Sequence, residues 1–163
     1  MTGVSLIGSA LLILAAIAFC RAYKSFLYSR LLVAKEYLDF LGHVGQRIRL
    51  NGEPYSAAAR SFEGEILRER GFIDLIEKGA ALDEAYEKAG TADLLSEAVE
   101  KELRDCFSEL GKGELESEIK KIELSQEKLS QSCRGEAEEL EKRVKTAYAV
   151  SFALTLGIIL LAL

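Results

Sequence analysis

Chemistry at neutral pH would have to start from one histidine, three cysteines or pairs among 26 acidic side chains in this chain of 163 residues. The histidine, His43, lies between Gly42 and Gly45 with no acidic, cysteine or second histidine residue at ligand spacing, so it is expected to take a structural or surface place rather than act as a base or ligand. Cys20, Cys106 and Cys133 are odd in number and unpaired in spacing, which argues against a disulfide framework or a zinc site and for small buried apolar residues. Acidic pairs such as Asp83-Glu84 and Glu138-Glu139 suit a solvated, partly salt-bridged helix surface. Glu116 with Lys120 and Glu138 with Lys142 stand four residues apart in the favourable order for such bridges. No glycine-rich loop precedes Lys-Ser or Lys-Thr, and Gly111-Lys112-Gly113 is too short for a phosphate cradle and reads as a helix break. A nucleophile elbow and a histidine-rich metal motif are both missing from the sequence. The expectation is a non-enzymatic protein with no catalytic residue, metal, cofactor or small-molecule substrate, and with a binding surface as its product.

Such a surface must be held by the elements around it, and the two ends of the chain set their frame. Residues 1–20 and 146–163 carry no charged side chain; all 21 basic and 26 acidic residues lie between Arg21 and Lys145. Eighteen residues of helix span roughly 27 Å, about the thickness of a bilayer core, so both ends read as transmembrane helices. For residues 1–20 a cleaved signal peptide is the rival, because Ala16-Ile17-Ala18 has the small-x-small form of a cleavage site. Against it stand an n-region without lysine or arginine, a basic cluster on the far side of the apolar run, and no cysteine pairing. Arg21, Lys24, Arg30 and Lys35 follow the first segment, and Lys142, Arg143 and Lys145 precede the second. Residues 36–141 then hold 14 basic and 26 acidic side chains, a net of −12. Basic collars beside both anchors place the intervening body, residues 21–145, in the cytoplasm. Its acidity argues against nucleic acid as a partner.

Few β-branched residues, one proline and many Glu, Lys, Leu and Ala predict an all-α body. Helical spacing of apolar residues predicts helices over residues 24–49, 54–62, 65–78 with a break possible at Gly71, 82–88, and 94–110 with Asp93 as N-cap. The last fifty residues, 114–163, read as one helix. Its stripe of Ile119, Ile122, Leu129, Cys133, Ala137, Leu140 and Val144 needs a protein partner, and Gly135 is its weak point. The fold expected is an antiparallel bundle of about six helices between an N-terminal and a C-terminal transmembrane helix.

From the turn Asn51-Gly52-Glu53-Pro54-Tyr55 with Ala58, through Leu82-Asp83-Glu84-Ala85-Tyr86, to Leu110-Gly111 followed by Glu114, Glu118 and Ile122, the chain resembles the stage III sporulation protein AB family of endospore-forming bacteria. That family in turn is similar to the F-protein domain of the type II secretion platform. The anchor at each end and the acidic helix with Glu136-Ala137-Glu138-Glu139 match its layout. Tyr86 stands where the family usually has tryptophan, Cys106-Phe107 where it has Phe-Gly, and Glu114 and Glu118 where it has Asp and Gln. The resemblance implies a six-helix body in the mother cell, in the membrane around the forespore. There it would belong to the channel assembly linking the two cells, beside a cytoplasmic ATPase and the other subunits of that complex. The expected docking surface for the motor is the acidic short helix with Asp83, Glu84 and Glu87, because acidic clusters steer basic partners. The competing reading is a generic two-anchor tether or sensor whose last helix forms a homo-oligomeric coiled coil.

Overall fold

The computed structural model describes residues 3–161; Met1, Thr2, Ala162 and Leu163, which belong to the two expected spans, lie outside the described residues. Every regular element among the described residues is helical: α1 (Gly3–Asn51), α2 (Tyr55–Arg60), α3 (Glu65–Glu69), α4 (Phe72–Glu77), α5 (Leu82–Lys88), a 3-10 turn (Ala92–Leu94), α6 (Glu97–Glu109) and α7 (Leu115–Leu161). The chain divides into two compact units, Met1–Ser29 with Glu136–Leu163, and Arg30–Gly135. Helices α1 and α7 each contribute to both.

In the first unit the charge-free stretches of α1 and α7 lie side by side. The Cys20 thiol approaches the Ala147 carbonyl at 3.9 Å. Large apolar side chains point outward all round: Leu11, Leu14, Phe19, Phe152, Leu154 and Leu160 are each more than 60% exposed. Burial of apolar area is worth about 25 cal/mol per Å2 in water, and a helix pair that leaves these faces open in water forgoes it. Both α1 and α7 contain a window long and apolar enough to cross a membrane.

The second unit holds an aromatic core. Tyr37 and Phe40 from α1, Phe72 from α4, Tyr86 from α5 and Phe107 from α6 are nearly inaccessible. Their rings meet with centroids 5.3–6.3 Å apart, mostly edge-on, the arrangement that ring quadrupoles favour. The Tyr37 hydroxyl reaches a partner within this core, the Thr91 hydroxyl at 2.6 Å, so both buried polar atoms are satisfied. Helix α4 touches α2, α3 and α5, and α5 packs on α6. Segments of α1 and α7 approach closely where α1 has glycine: a Cβ on Gly42 would meet the Gln126 amide at 2.9 Å, and one on Gly45 the Ile122 side chain at 3.0 Å.

Several boundaries differ from the sequence expectation, each for a local reason. The helix expected over residues 65–78 is two helices, because Gly71 adopts φ 78°, a left-handed conformation that ends α3 and starts α4. Asp93 does not cap α6: it sits inside the 3-10 turn, and Ser96 is the N-cap, its hydroxyl accepting from the Val99 amide at 3.3 Å. Pro54 precedes α2 rather than opening it. Gly135 does not interrupt α7. Neither Glu116 with Lys120 nor Glu138 with Lys142 forms an ion pair; on the last helix Glu139 binds Arg143 at 2.7 Å and Glu141 binds Lys145 at 3.8 Å. Arg30, which the sequence groups with the basic collar, directs Nε and Nη2 onto the Leu94 and Leu95 carbonyls at 3.2 and 2.5 Å.

Candidate functional site

Helix α5 presents the three carboxylates singled out in the sequence. Leu82, Ala85, Tyr86 and Ala89 bury one side of it, which leaves Glu84 and Glu87 exposed and Asp83 half-buried on the other. Asp83 sits in the first turn, where its Oδ1 accepts from the Glu84 amide at 2.9 Å and complements the positive helix end. Glu84 pairs with Lys88 at 2.6 Å. Glu87 pairs with Arg104 of α6 at 3.1 Å, and Arg104 also holds Glu100 at 2.9 Å. The structure therefore brings all three predicted carboxylates together and adds Glu100, giving four carboxylates against two cations. Exposed pairs of this kind contribute little. Beneath this surface the Tyr86 hydroxyl is buried without a hydrogen-bond partner, and burial pushes it up to about 12.

The junction between α6 and α7 is organised by a residue that the sequence did not single out for this role. Glu118, 5% exposed, turns its carboxylate back over the loop. Its Oε2 accepts from the Gly111 amide at 2.7 Å and Oε1 from the Gly113 amide at 2.8 Å. Gly111 has φ 82°, which brings its N–H round to this position. Lys121 stands 3.8 Å away. Ionised carboxylates are strong acceptors for paired N–H groups, and a glutamine here could offer only one oxygen. Tyr55 lies against the same loop, with burial raising its hydroxyl well above the ordinary tyrosine range; Cys106 and Glu118 are among the groups around it. No capping-box spacing announces the Glu118 clasp, since the carboxylate reaches backwards from the fourth residue of α7.

A second carboxylate works across a longer interval. Glu36 of α1 accepts from the Leu67 amide at 2.8 Å and so caps α3, whose own N-cap, Gly64, has no side chain to do it. A Cβ at Gly64 would overlap both the Phe62 ring and the Glu36 carboxylate.

His43 makes local hydrogen-bond and ring contacts. His43 Nε2 lies 2.8 Å from the Ser61 hydroxyl, and that hydroxyl donates to the Ala58 carbonyl at 2.8 Å. With the serine proton committed, His43 is the donor, and its ring packs edge-on against Phe62. All three cysteines are buried and free. Burial pushes the Cys106 thiol up to about 11, which keeps it protonated at neutral pH. Among the described residues no three His, Cys, Asp or Glu side chains converge on one point. No protein-family model matches the chain, and no curated protein or solved structure is significantly similar to it.

Proposed function

We propose that this chain is a membrane platform subunit, without catalysis of its own, of a sporulation channel between mother cell and forespore that couples to a cytoplasmic ATPase. The observation that carries the proposal is the pairing of two outward-apolar helices with an acidic helical unit, in the layout and with the motifs that resemble the stage III sporulation protein AB family. In this reading residues 1–20 and 146–163 are the spans. Residues 21–145 form a cytoplasmic bundle of about six helices on the mother-cell side of the membrane around the forespore. Asp83, Glu84 and Glu87, joined by Glu100, face the motor. Its partners are the membrane, the ATPase and other channel subunits rather than nucleic acid or a small-molecule substrate.

The generic tether is the weaker alternative. A homo-oligomeric coiled coil needs an uncovered stripe, whereas Ile122, Leu129 and Cys133 are covered within the chain itself.

Topology is the first test. Because the native cysteines are buried, the probe is Ser56→Cys, at an exposed position of α2, treated with a membrane-impermeant maleimide. The expected result is no labelling in intact cells and full labelling once they are opened. Labelling in intact cells would put the body outside and exclude a cytoplasmic motor. Copurification of an ATPase, lost on charge reversal of Asp83, Glu84 and Glu87, tests the partner; undiminished binding rejects that surface.

A further inference from the structure

A cleft of about 450 Å3 opens within the first unit, lined by Phe19 and Tyr23 of α1 and by Lys142, Arg143, Thr146, Ala147 and Val150 of α7. Its lining changes character along α7, from cations at Lys142 and Arg143 to apolar side chains at Ala147 and Val150. That change takes about two helical turns, roughly 12 Å. On the α1 side Phe19 and Tyr23 stack with planes 8° apart and centroids at 6.2 Å. Aromatic rings beside lysine and arginine at the end of an apolar span occupy the level of lipid headgroups.

The charges of the three collar cations on α7 are disposed unequally. Arg143 and Lys145 are held by Glu139 and Glu141 one turn back. Lys142 has Glu138 at the same spacing, yet no carboxylate lies within 4.0 Å of its ammonium among the described residues. Lys142 and Arg143 both line the cleft, and of the two it is Lys142 that has no such partner among the described residues. Arg143 beside it, though paired through Nη2 with Glu139, keeps further N–H donors, and Thr146 adds a hydroxyl whose proton goes to the Lys142 carbonyl, leaving its oxygen able to accept. A cationic mouth above an apolar floor is complementary to one amphiphile: a phosphate with hydrocarbon attached.

We infer that this cleft binds the headgroup of an anionic glycerophospholipid from the leaflet next to the basic collar, with the phosphate at Lys142 and Arg143 and the glycerol and first acyl carbons against Phe19, Ala147 and Val150. The inference rests on the membrane placement of the two apolar helices. The lipid fills a gap between the helices that their side chains leave open, and so ties α1 to α7 at the point where they leave the bilayer.

The test uses the full chain reconstituted in nanodiscs of phosphatidylcholine doped with phosphatidylglycerol, followed by mild detergent extraction and mass spectrometry of retained lipid. The wild-type chain retains phosphatidylglycerol over phosphatidylcholine. Lys142→Gln lowers that preference about fivefold, the weight of one exposed ion pair lost from the site. Lys145→Gln, the same charge change outside the cleft, leaves it unchanged, and millimolar inorganic phosphate does not compete. Far-UV circular dichroism checks that each variant keeps its helices. Equal retention of both lipids overturns the inference, as does an equal loss in the Lys145→Gln and Lys142→Gln chains, which would mean diffuse charge rather than a site. Competition by free phosphate overturns the lipid as the source. A chain that leaves the membrane fraction on alkaline washing removes the membrane placement itself, an outcome distinct from insertion without lipid preference.

Discussion

Replacing Glu118 by alanine should loosen the second unit at one identifiable joint. The carboxylate accepts two short hydrogen bonds, 2.7 and 2.8 Å, from Gly111 and Gly113. Bonds to a charged acceptor are worth about 1.5–3 kcal/mol each when the donor stays dry. Gly111, Lys112 and Gly113 are exposed, so water can take over the freed amides, and the lower end of that range applies. The expected loss for Glu118→Ala is about 3 kcal/mol, and for Glu118→Gln roughly half, since the amide keeps one acceptor oxygen and turns its NH2 toward a backbone N–H. For a unit of about 100 residues each kcal/mol moves the melting temperature by roughly 4–8 °C, so Glu118→Ala should melt at least 10 °C or so below the parent. The chain has no tryptophan, and Tyr37 and Tyr86 lie in the core of this unit, so near-UV circular dichroism of the full chain in mild detergent follows its melting. Amide exchange at Gly111 and Gly113 gives a second readout and should accelerate in both variants. Unaltered exchange, or a Glu118→Ala chain melting within about 2 °C of the parent, would refute the clasp.

Gly64→Ala should destabilise by about 1–3 kcal/mol, because the added methyl displaces Glu36 from the Leu67 amide as well as crowding Phe62; chemical denaturation measures it, and a neutral result rejects the cap. Gly135→Ala meets nothing within 4 Å in the interior of α7 and should stabilise by roughly 0.5–1 kcal/mol in the same assay. Burial raises the hydroxyls of Tyr37, Tyr55 and Tyr86 and the Cys106 thiol above their ordinary values. A raised folded-state value means that the folded protein holds the proton more tightly. The contribution is therefore complete below the unfolded values, near pH 9 to 10, and is lost as pH climbs through the folded ones. Phenolate absorbance should accordingly rise in a cooperative step together with loss of near-UV signal above about pH 10, and independent ionisation of these three tyrosines in a still-folded chain would contradict their burial. Cys106 should resist alkylation at pH 8 until the protein is denatured, which a mass shift after quenching reads directly.

The composition and apolar spacing of the chain by themselves determined an all-helical protein with two apolar ends, and most of the stops between its helices. Those signals are local: a helix is specified by neighbours within one or two turns, and Gly71, Gly79, Gly90 and Gly111 mark breaks because left-handed backbone is cheap only for glycine. Locality also explains why Asp93 was expected to be the N-cap that Ser96 turns out to be, since Asp93 lies in the short 3-10 turn just ahead of α6. The clustering of Asp83, Glu84 and Glu87 was legible because one short helix carries all three, while their pairing through Arg104 with Glu100 depends on how α5 meets α6. Tertiary structure alone decided where Arg30, Glu36 and Glu118 went. Arg30 reached carbonyls 64 and 65 residues away instead of joining the collar, Glu36 capped a helix 31 residues on, and Glu118 folded back over the preceding loop. A flexible ion can satisfy its charge in many places, and the choice among them follows from which backbone donors and acceptors the packed helices leave without partners.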